Sequence, residues 1–307
     1  MPVQDIAFEI GGMRFRSGLV DETGVSNRVS FDSPARPEEV VEHIQRTVES
    51  FTISAPDACV GIAIGGSVEK NGNVTAGALN MVDFPLEERL GLKRPVVVMN
   101  DAKAAALAEA TYNPRLASKS SFLLMTISTG IGGGIVMGND LYEGHTGTAG
   151  EVGHLLIDSS QDFYCRLGHR GCLDALASGT ALDNRLKKLW REGHWTHCAE
   201  GVGIRDLPAL LAANDGMALR LIQETGECLG IGVMQVIRVL DPCEIIFKGY
   251  LIYTLWPYLQ PHIAAVLHSY ERYIPMSLCA LGDKVGMVGV GIAARRRRMT
   301  LAGSSNQ

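Results

Sequence analysis

The stretch from Thr126 to His154, TISTGIGGGIVMGNDLYEGHTGTAGEVGH, decides how the rest of the chain is interpreted. Apolar, β-prone residues from Ser121 to Ile127 lead into the run Thr129–Gly134, and a second apolar run, Ile135–Met137, follows at once. The pattern predicts a strand, a glycine turn and a strand. Glycines there permit positive φ and let bare N–H groups approach an anion such as phosphate. A hairpin that uses glycine for geometry alone is the alternative.

Composition is that of a globular protein large enough for two domains. The 307 residues are 46% hydrophobic and 20% charged, and the net charge of −5 argues against a general nucleic-acid surface. No apolar run approaches the ~20 residues that span a bilayer, and the first ten residues lack the features of a signal peptide. Seven scattered cysteines do not suggest a disulfide framework. We expect a cytoplasmic protein with no membrane or nucleic-acid partner.

Glycine or polar residues follow three of the predicted buried strands. Gly11–Gly12 follows the strand Ile6–Ile10, Gly65–Gly66 follows an apolar strand ending at Ile64, and Asn100–Asp101 follows the strand Pro95–Met99. An α/β sheet places its ligand chemistry at the carboxyl ends of its strands. The alternatives are a simple hairpin at Gly11–Gly12 and a helix-capping role for Asp101.

Strands and helices alternate along the chain, and a second round of alternation starts at Ser121, which predicts an α/β protein of two similarly built halves. Pro37–Phe51 has the spacing of an amphipathic helix. Leu255–Tyr270 is predicted as a helix broken early by Pro257 and Pro261. The basic run Arg295–Arg298 is interpreted as a solvated helix end rather than a nucleic-acid contact.

Six segments, in order along nearly the whole chain, resemble motifs of the ROK family, a group of bacterial sugar kinases and sugar-responsive repressors. They are Glu9–Met13 (D-I-G-G-T in the family), Asn100–Ala102 (N-D-A), Thr129–Gly134 (the second phosphate turn), Gly150–His154 (G-E-x-G-H), Cys165–Asp174 (C-x-C-G-x-x-G-C-x-E) and Asp241–Phe247 (N-P-E-x-I-V-L).

This resemblance implies an α/β protein with the two-domain actin-like ATPase fold of hexokinases, with an interdomain cleft. We predict a small α/β domain from residues 1–112 plus 289–307 and a large one from 113–288. The implied activity is transfer of the γ-phosphoryl group of ATP, with Mg²⁺, to the 6-hydroxyl of a hexose or N-acetylhexosamine. N-acetylmannosamine or glucose is the favoured substrate, and a homodimer is expected.

The resemblance also implies roles for individual residues. Asp101 would be the general base that accepts the proton of the sugar hydroxyl. The sugar would be bound by Gly66, Asn80, Asn100, Glu151, His154 and Asp174. ATP and its metal ion would contact Glu9, Gly11, Gly12, Thr129, Gly130, Gly132 and Gly249.

Several positions depart from the family pattern. Glu9 replaces an Asp, Met13 replaces a Thr, and Lys248-Gly249-Tyr250 replaces a triple glycine. Ser128 replaces a glycine, as in the N-acetylmannosamine kinases of the family, and Asp174 is shorter than the usual Glu. These changes leave open a second function, a catalytically impaired sugar-binding or regulatory ROK protein. A repressor is not expected, because only five residues precede Ile6.

The fifth resembling segment also bears on metal binding. Zinc-binding family members use the histidine of G-E-x-G-H and three cysteines. Here His154, Cys165 and Cys172 are present, but Leu167 stands where the middle cysteine would be. His169, in the spacing C-x3-H-x2-C, is a candidate fourth ligand for a structural zinc site. Loss of the metal is the alternative.

Overall fold

The computed structural model describes residues 4–22, 24–116, 121–195 and 201–304, which form two compact units. The first contains the described residues of Met1–Leu124, Gly134–Gly150 and Cys279–Gln307, and the second those of Met125–Gly133 and Glu151–Leu278. Strands and helices alternate in both, so the predicted α/β class is confirmed. Among the described residues, every helix falls short of the length and apolar character that a bilayer span requires.

The elements are numbered in chain order. The first part of the chain forms β1 (Asp5–Ile10), β2 (Arg14–Asp21), β3 (Gly24–Asp32), α1 (Pro37–Thr52), β4 (Val60–Ile64), β5 (Ser67–Val68), β6 (Asn73–Ala76), β7 (Met81–Pro85), α2 (Leu86–Leu90), β8 (Val96–Asn100) and α3 (Asp101–Tyr112). The remainder forms β9 (Ser121–Ile127), β10 (Ile131–Met137), β11 (Asp140–Leu141), α4 (Leu173–Ala177), α5 (Gly179–Arg191), α6 (Leu207–Ala212), α7 (Gly216–Leu240), β12 (Ile245–Lys248), α8 (Tyr250–Ser269), β13 (Met276–Leu278) and α9 (Val285–Ser304).

The main sheet of the first unit has the strand order β3-β2-β1-β4-β8. Strands β1, β4 and β8 are parallel neighbours, and their last residues are in register, with Ile10 opposite Ile64 and Ile64 opposite Asn100. β1 and β4 are buried along their whole length, as expected for parallel strands covered on both faces. The segments that follow these three strands therefore leave one edge of the sheet at the same level.

Helix α9 packs against α3, β1 and β4 in the first unit. Its arginines are not simply a solvated helix end, so that interpretation was wrong. Arg298 pairs with the fully buried Asp5, and Arg296 lies 3.0 Å from Asp140. The reason is that α9 continues to Ser304, so these arginines lie within the helix and two of them pair with acidic residues of β1 and β11.

A second sheet has the order β11-β10-β9-β12-β13, and a smaller one the order β5-β6-β7. The predicted strand–turn–strand at β9 and β10 is confirmed, but the predicted extent of the glycine turn was wrong. Gly132, Gly133 and Gly134 belong to β10, and none has positive φ. Glycine is needed at Gly134 for space, because a Cβ atom there would lie 2.6 Å from the carbonyl oxygen of Ala102.

Helix α8 is continuous through Pro257 and Pro261, contrary to the predicted break. Each proline removes one backbone hydrogen bond, at a cost of about 3 kcal/mol. Close packing on α7 offsets that loss. Gly226 of α7 lies where a Cβ atom would be 2.6 Å from the Cβ of His262, so the two helices approach each other closely.

Candidate active site and metal centre

Three segments of the first unit lie at the carboxyl ends of β1, β4 and β8. They are the glycine and polar segments that the sequence analysis predicted to follow buried strands. Gly11 follows β1, Gly65 follows β4, and Asp101 follows β8. The N–H of Gly65 donates to the carbonyl of Ile10 (2.8 Å), which joins the first two segments. Residues far apart in the chain are thus collected at the carboxyl end of one sheet, where α/β proteins bind ligands.

Asn100, not Asp101, caps helix α3. Its Oδ1 accepts hydrogen bonds from the N–H groups of Ala102 (2.9 Å) and Lys103 (3.1 Å), and its Nδ2 donates to the carbonyl of Gly66 (2.9 Å). Asp101 is therefore the first helical residue, half-buried, and its carboxylate is not needed as the cap. The capping alternative for Asp101 is removed, and Asn100 ties two predicted sugar-binding segments together.

Asn80 does not follow one of these three strands but lies between β6 and β7. It follows a short 3-10 helix, Gly77–Leu79, with φ of 54°, and its Nδ2 donates to the carbonyl of Ala35 (2.9 Å). Asparagine tolerates this left-handed conformation better than most residues. Its position is thus explained locally, and its side chain is exposed.

The first glycine turn is closed by a hydrogen bond from the N–H of Gly11 to the carbonyl of Arg14 (2.9 Å). Glu9, buried in β1, lies with Oε2 3.4 Å from Nη1 of Arg16, so its charge is partly neutralised. Met13 is 53% exposed and supplies no hydroxyl group at this turn. The turn predicted from sequence is present, and the Glu9 carboxylate lies in the strand that precedes it.

In the second unit, residues Ser128–Gly130 connect β9 to β10; we call them the Thr129 turn. The carbonyl of Ser128 accepts from the N–H of Gly179 (2.8 Å), and the carbonyl of Thr129 accepts from the N–H (3.0 Å) and the hydroxyl (2.9 Å) of Thr180. The N–H of Ser128 donates to the carbonyl of Gly130 (2.9 Å). The start of α5 therefore holds the carbonyl side of this turn.

The backbone N–H groups of Thr129 and Gly130 have no hydrogen-bond partner within the described residues. Consecutive N–H groups in a turn whose carbonyls are already engaged form a favourable site for an anion. This arrangement fits a phosphate group, as the glycine pattern predicted, although the glycines serve close approach rather than positive φ.

Two further residues, Asp174 and Gly153, contact the backbone of Ile131, the residue that follows the Thr129 turn. The Oδ1 of Asp174 accepts from the N–H of Ile131 at 2.7 Å, and a Cβ atom on Gly130 would lie 3.0 Å from the same oxygen. Gly153 packs against the carbonyl oxygen of Ile131. Burial raises the pKa of the Asp174 carboxyl above its usual range, and the Ile131 hydrogen bond and nearby His154 offset part of that effect.

Gly249 is the one glycine kept from the family's triple glycine. Its φ is 124°, and its Cα packs directly on the carbonyl oxygen of Ile127, so no side chain fits there. Lys248, at the end of β12, is only 7% exposed, whereas Tyr250 begins α8 and is 70% exposed. The backbone of this segment thus lies beside the end of β9, just ahead of the Thr129 turn.

Three of the four predicted metal ligands lie together in the second unit. One ligand atom each from His154, Cys165 and Cys172 fall within 4.8 Å of one another. The Nδ1 of His154 is 3.9 Å from Sγ of Cys165 and 4.0 Å from Sγ of Cys172. His169 is outside this group, although its ring stands edge-on to that of His154 with centroids 4.6 Å apart. Leu167 is 40% exposed beside them.

These donors fit a tetrahedral zinc ion. Zinc–ligand bonds of about 2.0–2.3 Å place neighbouring ligand atoms roughly 3.3–3.8 Å apart, close to the two His–Cys distances. Glu151 Oε2 lies 3.8 Å from Nε2 of His154, on the side of the ring away from the cysteines, as second-sphere carboxylates do. Burial raises the pKa of the Cys172 thiol to about 11, so zinc would have to displace its proton on binding.

The sequence analysis missed two residues that contact the predicted phosphate-binding segments, one in each unit. Thr180 holds the Thr129 turn, and Arg16 pairs with Glu9. A signal for the first was present, since Ser178-Gly179-Thr180 has the composition of a helix start, and Ser178 does cap α5. Nothing local identifies Arg16, because its partner lies across the β1–β2 hairpin.

Comparison with known proteins agrees with this geometry. The ROK family model matches residues 5–297. A glucokinase of Streptomyces coelicolor is 31% identical and aligns with 94% of this chain and 97% of its own length. An N-acetylmannosamine kinase of Vibrio cholerae is 31% identical over 62% of this chain and 67% of its own length.

The solved structures agree. A ROK family glucokinase from Streptomyces griseus, in complex with glucose and AMPPNP, superposes with a TM-score of 0.81 at 26% identity. The match covers 95% of this chain and 99% of that one, and so confirms the predicted hexokinase-type, actin-like ATPase fold. With the family model spanning nearly all of the sequence, the chain belongs to the ROK family.

Proposed function

We propose that this chain is an ATP- and Mg²⁺-dependent sugar kinase that phosphorylates the 6-hydroxyl of a hexose or N-acetylhexosamine. The names of its relatives favour glucose and N-acetylmannosamine. The observation that carries the proposal is the Thr129 turn, whose carbonyls are tied to α5 while two consecutive N–H groups remain for an anion.

Asp101 is the proposed general base. A carboxylate is ionised at neutral pH, so it can accept the proton of the sugar hydroxyl as that oxygen bonds to the γ-phosphorus and the bond to ADP breaks. Because Asn100 supplies the helix cap, Asp101 is not required for that structural task. Proton transfer of this kind contributes roughly 10²- to 10⁴-fold.

The remaining assignments are of sugar and phosphate binding. We assign sugar binding to Gly66, Asn80, Asn100, Glu151, His154 and Asp174. We assign phosphate binding to Gly11, Gly12, Thr129, Gly130, Gly132 and Gly249. Glu9 is the proposed carboxylate for Mg²⁺, which prefers oxygen ligands and would neutralise phosphate charge when bound.

We also propose that His154, Cys165 and Cys172 hold a structural zinc ion, with His169 or water as a fourth ligand. The ion would fix the loop that follows Glu151. Elemental analysis of protein purified without added metal tests this, and about one zinc per chain is expected. Protein without zinc at any stage of purification would refute it.

A coupled ADP-release assay across a panel of sugars tests the kinase proposal. We expect release with at least one hexose or N-acetylhexosamine, and a loss of roughly 10²- to 10⁴-fold in kcat for Asp101→Asn. The matched control is Asp57→Asn, an exposed aspartate in the same unit, which should keep the wild-type rate. Equal rates for Asp101→Asn and wild type would remove Asp101 as the base.

The second candidate is a sugar-binding protein without turnover. It is favoured by Met13, which lacks the hydroxyl of the family pattern, and by the buried Lys248 beside Gly249. Measurable sugar binding with no ADP release would support it over the kinase. A homodimer and a cytoplasmic location remain predictions, to be tested by light scattering and by cell fractionation.

A further inference from the structure

Asp174 holds a position that the sugar-binding role alone does not explain. It lies in the first turn of α4, and its Oδ1 accepts the backbone N–H of Ile131 at 2.7 Å, one residue beyond the Thr129 turn. The same oxygen stands against Gly130, where an added Cβ atom would be only 3.0 Å away. This carboxylate is therefore packed on the proposed phosphate site.

The length of the side chain matters to this contact. A glutamate here would be one methylene longer, so its carboxylate could not occupy the present position of Oδ1 with the backbone and side-chain torsions unchanged. With aspartate, the distance of 2.7 Å is that of a strong, charge-assisted hydrogen bond. The shorter acid is thus suited to holding the backbone of the turn.

The second carboxylate oxygen, Oδ2, makes no hydrogen bond to the described residues. Under the proposed function, Asp174 also belongs to the sugar site. A carboxylate has lone pairs on both oxygens and can accept from a sugar hydroxyl and a backbone N–H at once.

The rest of the turn is already fixed. The carbonyls of Ser128 and Thr129 are bound by the first residues of α5, and these bonds do not involve the sugar-site residues. The N–H of Ile131 is held instead by a residue of the sugar site. A change in the orientation of the Asp174 carboxylate is therefore transmitted to the backbone that carries the N–H groups of Thr129 and Gly130.

We propose that Asp174 is a positioning residue that couples sugar binding to nucleotide binding, and this rests on the proposed function. A sugar hydroxyl on Oδ2 orders the carboxylate and thereby orders the Ile131 peptide, which prepares the Thr129 turn for the phosphate group. Coupling of this kind is reciprocal, so bound nucleotide also raises the affinity for the sugar.

Calorimetric titration tests the coupling. A non-hydrolysable ATP analogue is titrated into the full-length protein alone and in saturating glucose or N-acetylmannosamine, and the reverse titrations are also made. For wild type we expect sugar to lower the Kd of the analogue by roughly five- to tenfold, within the usual range of coupling between sites. The reverse titrations should give the same factor.

The variants are Asp174→Asn, which keeps the shape but not the charge, and Asp174→Glu, which moves the carboxylate by one methylene. Both should still bind each ligand, with a coupling factor close to one. The control is Asp162→Asn, an exposed aspartate in the preceding loop, which should keep the wild-type factor. If Asp174 had only a structural role, the variants would bind both the sugar and the analogue more weakly, and the coupling factor would be unchanged.

Two results would overturn the inference. One is a wild-type factor near one, and the other is a wild-type factor retained in both Asp174 variants. Failure of the proposed function is distinguishable, because the wild-type protein would then release no ADP and bind no analogue at all, and both proposals would fall. Thermal unfolding shows whether each Asp174 variant is folded. If one of the two is not folded, the coupling factor of the other decides the test.

Discussion

Gly153 packs so closely on Ile131 that a Cβ atom on Gly153 would overlap the carbonyl oxygen of Ile131. Replacing Gly153 with alanine must therefore move either the loop before His154 or the residue that follows the Thr129 turn. Overpacking of this kind costs about 1–3 kcal/mol, and we expect the melting temperature and kcat/KM to fall together. The control is Gly216→Ala, at the start of α7, where an added Cβ atom would meet no atom of the described residues within 4 Å. Equal behaviour of the two variants would contradict the packing argument.

Asn100→Ala should lower stability because it removes the cap of α3. Two backbone N–H groups and the carbonyl of Gly66 lose their partner, and caps of this type contribute about 0.5–2 kcal/mol. Asn100→Asp keeps the acceptor for the cap and loses only the donor to Gly66. Urea unfolding should therefore rank wild type first, the aspartate variant second and the alanine variant last. The reverse order of the two variants would disprove the capping role.

Glu109 is a fully buried carboxylate in α3 with hydrogen-bond donors around it. Its Oε1 accepts from the N–H of Ala280 (2.8 Å) and of Leu281 (3.0 Å), just before α9, and Asn113 donates to its Oε2. Glu109→Gln replaces one acceptor with an NH₂ group that faces donors. Leaving a buried hydrogen-bonding group without a partner costs about 1–3 kcal/mol, so the urea midpoint should fall. Glu42→Gln, on the exposed face of α1, should leave it unchanged.

Leu167→Cys should strengthen zinc binding. The residue stands in the turn between Cys165 and His169, beside three donors already within 4.8 Å of one another. A thiolate there would complete four ligands, the number that closed structural zinc sites use. Competition with a chromophoric chelator should show tighter binding than in wild type, and Cys172→Ser should show weaker binding. Unchanged affinity in both variants would mean that zinc, if present, binds elsewhere.

The ion pair between Arg28 and Asp283 predicts a pH dependence of stability. The guanidinium group, 2.7 Å away, holds the pKa of the Asp283 carboxyl below its usual range, chiefly through the hydrogen bond. The folded-state pKa is thus below the unfolded value of about 3.9, so the stabilisation is present above that pH and is lost as the pH falls through the folded value.

The matching measurement is urea unfolding of wild type and Asp283→Asn at pH 7 and near pH 3. The Asp283 side chain is 64% exposed, so the difference at pH 7 should be at most about 1 kcal/mol, and it should shrink at the lower pH. A difference that stays the same at both pH values would argue against the ion pair.

Much of the candidate site was predictable because it lies at strand ends. The apolar runs that end at Ile10, Ile64 and Met99 mark parallel strands, and glycine or polar residues follow each of them. Hydrophobic period and turn composition are local properties of the sequence, and they were sufficient to place these segments.

What could not be predicted depends on contacts between distant residues. Gly134 looks like a turn residue, yet it is a strand residue that makes room for the carbonyl of Ala102. Pro257 and Pro261 look like helix breaks, yet packing on α7 keeps α8 continuous. The second contact of Asp174, to the N–H of Ile131, likewise spans residues with no local relationship.

The way α9 completes the first unit has a consequence for synthesis of the chain. Strands β1 and β4 are covered by α9, and the buried Asp5 forms its ion pair with Arg298 of that helix. On the ribosome the apolar face of this sheet must therefore wait until residues 285–304 emerge, and such long-range closure slows folding. The strands of the first unit are synthesised early and the helix that covers them is synthesised last. In a circular permutant that places α9 ahead of β1, the helix would be available to pack on the sheet as soon as the strands are made.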